Sequence, residues 1–336
     1  MEIRDVRFGF EKKIDKEYAC VFQDQIKIYN KMKVLVATEK PFSAAAVNGI
    51  QKIVEEAGYN FAKLEKYTDV QQFYDAVADA DALIVRSDKV TKEVIDHAKN
   101  LKIVVRAGAG FDNLDLAACT ARGIVAMNTP GQNSNAVAEL AIGMMIYMAR
   151  NTFKPGTGCE LKGKRVGIQA YGNVGRLVAE KAKALGMEVW AFDPFVPTEK
   201  MEAEGVHVPA TLEELYAHCD YISLHIPAND QTKNSINYAL LSKMPKGGCL
   251  VNTARKEVIN EADMEKMLAE RADFKYVTDI APANAEALAQ FAPRFFATPK
   301  KQGAETAEAN MNAGLAAARQ IVGFFKDGCT KFQVNK

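Results

Sequence analysis

The chain has 336 residues, more than one hydrophobic core usually holds, and this length suits two α/β domains. A formal net charge of +1 without a basic stripe makes nucleic acid and anionic membranes unexpected partners, and the most apolar run, 136–148, is too short to span a bilayer. The six cysteines are scattered and lack the spacing of a zinc site, so we expect a reduced, cytoplasmic protein that holds no metal.

Residues 1–31 differ from the rest of the chain. They mix acidic and basic residues without a clear period, and the run 32–36 that follows has the pattern of a first strand. Transit peptides are rich in Arg and Ser and poor in acidic residues, unlike this segment. We predict that it is a disordered appendage.

From Lys33 onward, short β-branched runs alternate with helical patterns, which is typical of parallel sheets covered on both faces. We predict strands at 33–38, 60–65, 82–87, 103–107 and 124–128, then a long helix at 134–150. Further strands are predicted at 165–169, 187–192, 221–225, 248–252, 275–279 and 295–298, before an apolar helix at 306–325. The fold class is therefore α/β, with two doubly wound parallel-sheet domains: a flavodoxin-like domain at 32–130 and 306–336, and a Rossmann domain at 131–305.

The loop 170–175 has the sequence of a dinucleotide-binding fingerprint in the right context. It follows a predicted strand, opens an amphipathic helix, and is followed by a second strand that ends at Asp193. Glycines let the backbone approach a pyrophosphate, helix amides bind its charge, and a terminal carboxylate holds the ribose diol. Ala170 stands in place of the first glycine. The predicted contacts in this loop are Gly172, Asn173, Val174 and Gly175.

Asp193 also predicts which dinucleotide binds. A carboxylate there would repel a ribose 2′-phosphate, and no Arg follows in Pro194-Phe195 to bind one. The sequence therefore favours NAD over NADP.

Arginines follow three of the predicted strands. Arg86 and Ser87 follow the strand at 82–85, Arg106 follows 103–105, and Arg255 follows 250–252. Ligands of doubly wound sheets bind at the carboxyl ends of the strands, so we expect the three arginines to meet in one cleft. Arginine forks suit carboxylates and phosphates, and so do glycine-flanked backbone amides. An anionic substrate is predicted, with further contacts at Gly108, Ala109 and Gly110.

These local sequences resemble the D-isomer-specific 2-hydroxyacid dehydrogenase family, and within it most closely the phosphoglycerate dehydrogenases. Segment 83–87 is similar to their loop for the substrate phosphate, and 106–115 to their carboxylate-binding segment. The resemblance implies oxidation of 3-phosphoglycerate with NAD to 3-phosphohydroxypyruvate, the first step of serine biosynthesis. It also implies a homodimer formed through the long helix at 134–150. Because the chain ends soon after its last predicted helix, we expect no C-terminal ACT regulatory domain.

The resemblance assigns further residues in the cofactor half. Segment 223–227 is similar to the strand beside the nicotinamide, and 252–255 to the catalytic arginine segment, in which Arg255 would clamp the substrate carboxylate and carbonyl oxygen. Asp279 is expected either to face the nicotinamide carboxamide or to be structural. Lys256 replaces the family's Gly after the arginine. The cofactor contacts implied in this half are His225 (as a pocket wall), Ile226, Pro227, Thr253, Ala254 and Asp279.

The acid/base pair departs from the family pattern, which has a His after Thr-Pro, oriented by a Glu. Asn284 stands where the Glu is expected, and a lysine stands where the His is expected. That lysine is Lys300 when counted from Pro299, and Lys301 when counted back from Gly303. The four histidines lie in other segments, so none replaces the missing one: His97, His207, His218 and His225.

Two readings remain open for this departure. An enzyme could use lysine as its base, and physics favours this because a neutral Asn284 and neighbouring cations favour the proton-accepting form of a lysine. A scaffold that binds NAD and turns nothing over is the other reading, with Lys300 and Lys301 as a solvated surface pair. A dehydrogenase for glyoxylate, hydroxypyruvate or another small 2-keto acid is an alternative within the same enzyme class.

Overall fold

We analysed a computed structural model, which describes residues 32–336. The predicted appendage at 1–31 lies outside the described residues. The chain divides into two compact units, of which unit 1 takes in the described residues up to Thr129 together with Met311–Lys336. Unit 2 is Pro130–Asn310, whereas the sequence had predicted 131–305 for this domain. Within the described part of the chain, no helix is both long and apolar enough to cross a membrane.

Eleven strands and twelve α-helices alternate along the described residues. The strands are β1 (Lys33–Thr38), β2 (Asn60–Glu65), β3 (Ala82–Val85), β4 (Ile103–Arg106), β5 (Val125–Asn128), β6 (Arg165–Gln169), β7 (Glu188–Phe192), β8 (Tyr221–Leu224), β9 (Cys249–Asn252), β10 (Lys275–Thr278) and β11 (Phe295–Ala297). The helices are α1 (Ala44–Glu56), α2 (Val70–Val77), α3 (Lys92–His97), α4 (Leu116–Ala121), α5 (Ser134–Ala149), α6 (Asn173–Ala184), α7 (Thr198–Ala203), α8 (Leu212–His218), α9 (Tyr238–Leu241), α10 (Glu261–Glu270), α11 (Ala285–Ala289) and α12 (Ala307–Asp327).

Unit 1 contains a parallel sheet in the order β2-β1-β3-β4-β5, which is the flavodoxin-like order. Successive side chains of a strand enter opposite cores: Val34 and Ile84 pack on one face, and Leu35 and Leu83 on the other. Helix α12 contributes Ile321 to the first of these cores. Burial on both faces explains why the strands are continuous apolar runs.

Unit 2 contains a six-stranded parallel sheet in the order β11-β10-β9-β8-β6-β7. Strand β9 again alternates, with Leu250 in one core and Val251 in the other. The strand order reverses between β6 and β8, and such a switch point is where doubly wound sheets bind ligands. The predicted fold class, two doubly wound parallel-sheet domains, is confirmed.

Candidate functional site

The loop between β6 and α6 forms an open cradle at a helix N-terminus. Gly172 is the N-cap residue of α6 and is exposed together with Asn173. Because a glycine N-cap has no side chain, it cannot satisfy the amides of the first helical turn, which remain available to an anion. A Cβ atom on Gly175 would lie 2.3 Å from the carbonyl oxygen of Ala170, so only glycine allows the helix to pack this close to the strand. The cradle fits a pyrophosphate.

Asp193 is held beside this cradle by two backbone amides. Its Oδ2 accepts a hydrogen bond from Tyr171 N at 2.7 Å, and its Oδ1 accepts one from Phe195 N at 2.9 Å. The first amide belongs to the glycine loop, so the carboxylate and the loop are fixed relative to each other. This is the arrangement that a dinucleotide needs, with the ribose carboxylate next to the phosphate-binding amides.

A pocket of about 480 Å³ lies beyond Asp193. It is lined by 192–198, Met201 and 208–210, and this volume falls within the usual range of ligand pockets. Phe195 lines it and is 90% exposed. The sequence analysis did not predict Phe195 as a pocket residue. The signal was present, since a phenylalanine directly after the Asp-Pro pair indicates an exposed aromatic ring at that position.

His225 follows β8 as a neutral side chain. Its Nε2 lies 2.9 Å from Ser223 Oγ, and burial lowers the pKa of the imidazole to about 3. A histidine that stays neutral across the physiological range does not supply a proton there. This agrees with a role as a wall rather than as an acid or base. Of the neighbouring predicted contacts, Ile226 is buried and Pro227 is exposed.

The loop that carries Arg255 is shaped by the buried side chain of Asn252. Asn252 Oδ1 accepts from Ala254 N at 3.0 Å, and its Nδ2 donates to Arg255 O at 3.0 Å. The guanidinium Nη1 donates to Ala254 O at 2.9 Å. Lys256, where the family has Gly, is exposed and begins a 3₁₀ turn at Lys256–Val258. The strand end therefore presents Arg255 on a braced loop.

Thr253, in the same loop, has a buried hydroxyl. The residue is 4% exposed, and its Oγ1 has no hydrogen-bond partner among residues 32–336. A buried hydroxyl without a partner costs about 1–3 kcal/mol, and a polar ligand group would remove that cost. Together with the cradle and Asp193, this atom shows that the residues present fit a dinucleotide.

The segment that carries Lys300 and Lys301 leaves both lysines exposed. The buried carboxylate of Asp279 binds both ends of the segment: it accepts from Thr298 Oγ1 at 3.1 Å before the lysines, and from the amides of Gln302 at 2.8 Å and Gly303 at 2.7 Å after them. The structure thus uses Asp279 to hold the lysine loop. Contact between Asp279 and a nicotinamide stays a prediction, as does the choice between the two lysines.

Asn284, the residue in the position of the family's Glu, is bound by α10. Its Nδ2 donates to Glu261 O and to Glu265 Oε2, both at 3.2 Å. The NH₂ of the side-chain amide is therefore engaged by a neighbouring helix, whereas its Oδ1 is buried without a partner among the described residues. An influence of Asn284 on a lysine base stays a prediction.

Two predicted substrate residues lie together in unit 1. Arg106 Nε donates to the carbonyl oxygen of Arg86 at 3.1 Å, and its guanidinium crosses directly over Gly108. Arg86 Nη1 donates to Lys40 O at 3.0 Å, and the guanidinium lies 5.3 Å from the ring centroid of Phe42. The carboxyl ends of β3 and β4 thus carry two ordered cations. Arg255 belongs to unit 2, so the meeting of all three arginines stays a prediction.

The backbone after β4 offers two amides to an anion. The Gly108 amide is already used, since it donates to Arg106 O at 2.9 Å. The amides of Ala109 and Gly110 donate to no group in the part of the chain that the structure describes. Of the three predicted amides, these two are the available ones.

Sequence reasoning passed over Asp88, which organises the loop that bears Arg86 and Ser87. Asp88 is buried, and its carboxylate accepts from Glu39 N at 2.7 Å, Tyr67 OH at 2.9 Å and Arg86 N at 3.3 Å. An acidic residue three positions after a buried strand was the signal. Ser87, which lies between Arg86 and Asp88, is exposed.

Comparison with known proteins places these features in a family. Residues 123–300 match the D-isomer specific 2-hydroxyacid dehydrogenase family at its NAD binding domain. The chain is 36% identical over 289 residues to D-3-phosphoglycerate dehydrogenase of Methanocaldococcus jannaschii, covering 80% of this chain and 54% of that protein. It is 35% identical over 278 residues to hydroxypyruvate reductase of Thermotoga maritima, covering 76% of this chain and 88% of that protein.

Among solved structures, the fold is similar to NAD⁺-bound 3-phosphoglycerate dehydrogenase of Entamoeba histolytica. The TM-score is 0.82 at 49% identity, over 91% of this chain and 99% of that one. The chain spans about half the length of the archaeal relative, 54%. It belongs to the D-isomer-specific 2-hydroxyacid dehydrogenase family, whose NAD-binding domain it contains at residues 123–300.

Proposed function

We propose that the protein oxidises the C2 hydroxyl of 3-phosphoglycerate to the ketone of 3-phosphohydroxypyruvate, with NAD as the hydride acceptor. The observation that carries this proposal is the ordered pair Arg86 and Arg106 at adjacent strand ends, with the amides of Ala109 and Gly110, which donate to no described residue, following Arg106 in the chain. One carboxylate on a small 2-hydroxy acid needs fewer cations than this. A substrate with both a phosphate and a carboxylate uses them all.

Each anion has its own group of ligands in this proposal. Arg86 and Ser87 bind the phosphate, and Arg106 with the Ala109 and Gly110 amides binds the carboxylate. Arg255 holds the carboxylate and the oxygen on C2, where it stabilises the developing carbonyl. Its braced loop fixes the direction of the guanidinium before the substrate arrives, which lowers the cost of ordering it.

A lysine of the loop at 299–301 takes the hydroxyl proton. No histidine is available for this step at the loop, and the one that follows β8, His225, is held neutral by burial. The amide of Asn284 brings no negative charge, so it does not favour the protonated form of a nearby lysine as a carboxylate would. The proposal assigns this role to either Lys300 or Lys301, both of which are exposed.

The residues that bind the cofactor in this proposal are those that suit a dinucleotide in the structure. Bound NAD supplies the hydride acceptor. The amides that begin α6, at Gly172, Asn173 and Val174, bind the pyrophosphate, and Asp193 accepts from the ribose hydroxyls. The pocket beyond Asp193 would take the adenine, with Phe195 as one wall.

A substrate panel tests the proposal. We expect NADH formation with 3-phosphoglycerate, and Arg86→Gln should raise its KM at least about tenfold, since one charge-assisted contact is lost, while KM for unphosphorylated D-glycerate changes little. Arg122→Gln is the control, because Arg122 lies in the same unit and donates instead to Ile95 O and Ala98 O. Equal turnover with and without the phosphate would favour the other candidate, a reductase of glyoxylate or of hydroxypyruvate, the second being the activity in the name of the Thermotoga maritima relative. No turnover with any of these would leave an NAD-binding scaffold.

We also propose that the protein is a homodimer that pairs through α5 and acts in the cytoplasm. Helix α5 exposes 37% of Ile146, and the turn after it exposes 70% of Phe153, whose ring packs edge-on against Tyr147 at 5.2 Å. Apolar side chains this exposed on a helix and the turn that follows it are typical of an interface. Light scattering of the protein and of Phe153→Glu tests this, with a dimer expected for the first and a weakened dimer for the second. Cell fractionation tests the location.

A further inference from the structure

The side chain of Tyr171 anchors the glycine loop to the end of α7. Tyr171 is 1% exposed, and its hydroxyl donates to Glu204 Oε2 at 2.9 Å. Glu204 is the C-cap residue of α7. Its other carboxylate oxygen lies 3.5 Å from Nη2 of Arg176 in α6, and that guanidinium lies over the Tyr171 ring, 5.6 Å from the centroid. Side chains from three segments therefore form one cluster.

Each of these three segments borders the proposed site for the adenosine half of the cofactor. The backbone amide of Tyr171 donates to Asp193 Oδ2 at 2.7 Å, so the residue that is anchored by its hydroxyl also fixes the ribose carboxylate. Helix α7 contributes Met201 to the wall of the pocket beyond Asp193. Helix α6 begins with the amides proposed to bind the pyrophosphate, and its Lys183 Nζ donates to the carbonyl oxygen of Glu204. The cluster therefore joins the phosphate-binding loop to the pocket wall.

The backbone next to Tyr171 depends on such an anchor. Ala170 has a φ of 77°, which is unfavourable for a residue with a side chain. A conformation of this kind persists only where the surrounding structure holds it. Ala170 N donates to Phe192 O at 3.0 Å on one side, and the hydroxyl of Tyr171 fixes the next residue on the other. Without the hydroxyl bond, the loop should spend part of the time outside the arrangement that fits a pyrophosphate.

We propose that Tyr171 and Glu204 are positioning residues for the adenosine half of NAD, because their hydrogen bond holds the glycine loop and the Asp193 carboxylate in the arrangement that binds it. The inference rests on the proposed function, since it takes this loop and Asp193 as the cofactor site. The apparent affinity for a ligand falls with the fraction of protein in the competent arrangement. Loss of the bond should therefore raise the dissociation constant for the cofactor without slowing the chemical step.

Tyr171→Phe tests the anchor, since it removes the hydroxyl and keeps the buried ring. We expect Kd for NADH, measured by NADH fluorescence, to rise about five- to tenfold. Kd for ADP-ribose, measured by displacement of NADH, should rise by the same factor because it carries the same adenosine half. In turnover, KM for NAD should rise and kcat should not fall. A folded Tyr171→Phe protein with the parent Kd for NADH, or with a lower kcat and the parent Kd, would overturn the proposal.

The same unit contains a matched control for this substitution. The hydroxyl of Tyr238 in α9 donates to Glu270 Oε2 at 2.5 Å, and Lys266 Nζ lies over the Tyr238 ring, 4.3 Å from the centroid. This cluster has the same chemistry, a tyrosine with a glutamate and a cation, but α9 and α10 carry none of the predicted cofactor residues. Tyr238→Phe should lower the free energy of unfolding and leave Kd for NADH at the parent value. An equal rise in Kd in both variants would overturn the proposal, because a general loss of stability would then explain it.

A double-mutant cycle tests whether Tyr171 acts through Glu204. Glu204 is exposed, so Glu204→Ala should fold even if Tyr171→Phe does not, and it should raise Kd for NADH by a similar factor. The double variant should bind NADH no more weakly than the more affected single variant. Glu204→Gln keeps an acceptor for the hydroxyl and should recover most of the affinity. Additive losses in the double variant would overturn the proposal, because the two residues would then act separately.

The binding measurements also separate this proposal from the proposed function. A parent protein that binds NADH but oxidises no 3-phosphoglycerate would contradict the proposed function alone, and the Kd values of the variants would still decide the role of Tyr171 and Glu204. A parent protein that binds no NADH would overturn both.

Discussion

The carbonyl oxygen of Ala170 lies 2.3 Å from the place that a Cβ atom on Gly175 would occupy. Both partners are backbone, so neither can move aside without shifting α6 relative to β6. For Gly172 in the same loop, no described residue other than its chain neighbours has an atom within 4 Å of the Cβ position. The two glycines therefore have different functions: Gly175 allows the helix to pack on the strand, and Gly172 leaves room for the phosphates.

The first prediction separates these functions. Gly175→Ala should lower the free energy of unfolding by about 1–3 kcal/mol and also weaken NADH binding, because the helix must shift. Gly172→Ala should unfold like the parent but bind NADH at least about tenfold more weakly, since only the approach to the pyrophosphate is blocked. Denaturant unfolding and NADH fluorescence titration measure the two effects. Equal losses of stability in both variants would contradict this division.

A second prediction concerns the residue in place of the first glycine. Ala170 adopts a φ of 77°, a left-handed conformation that costs an alanine about 1–2 kcal/mol. Ala170→Gly should therefore raise the free energy of unfolding by about 1 kcal/mol. Ala184→Gly, in exposed helical backbone of α6, is the control and should lower it by about 0.5–1 kcal/mol. The account is wrong if both substitutions have the same sign.

Much of the fold could be predicted from the chain, because buried parallel strands show as short apolar runs between helical patterns. Strands β1 and β6 lie where the runs at 33–38 and 165–169 predicted them. The glycine loop was readable for the same reason, since its neighbours in sequence are also its neighbours in space.

The interactions that could not be predicted join residues distant in sequence. Asp279 binds amides more than twenty positions later, and Asn284 is held by α10, which precedes it. Backbone amides carry no sequence signal, so no pattern indicates which carboxylate they will bind. The low pKa of His225 likewise depends on what packs around it.

A third prediction concerns the choice of dinucleotide. Asp193→Asn keeps the side chain's size but removes the charge that repels a 2′-phosphate and strengthens the ribose contact. We expect NADH to bind about 10-fold more weakly, and the ratio of the dissociation constant for NADPH to that for NADH to decrease. The ratio of the two dissociation constants is the measurement, because an overall loss of folding would change both alike. A ratio equal to that of the parent would argue against Asp193 as the selecting residue.

A fourth prediction follows from His225. Its pKa is lowered from 6.5 to about 3, so the folded protein keeps it neutral at pH values where the unfolded chain protonates it. The unfolded state then binds more protons, and stability contributed by this site falls as pH drops from about 6.5 toward 3, by at most about 1.4 kcal/mol per pH unit. His225→Asn should flatten this part of the stability profile. The free energy of unfolding measured between pH 4 and 7 tests this. The same slope against pH in His225→Asn and in the parent would contradict the lowered pKa of His225.

The most direct test of the central claim is NADH formation from 3-phosphoglycerate by the parent protein and by Lys300→Ala and Lys301→Ala, with NADH affinity measured in parallel. The account predicts that the parent reduces NAD and that one of the two variants loses turnover by at least about 10²-fold while its NADH affinity stays at the parent value. Full turnover in both variants would contradict the proposal that a lysine is the base. An inert parent protein would contradict the proposal that the protein oxidises 3-phosphoglycerate.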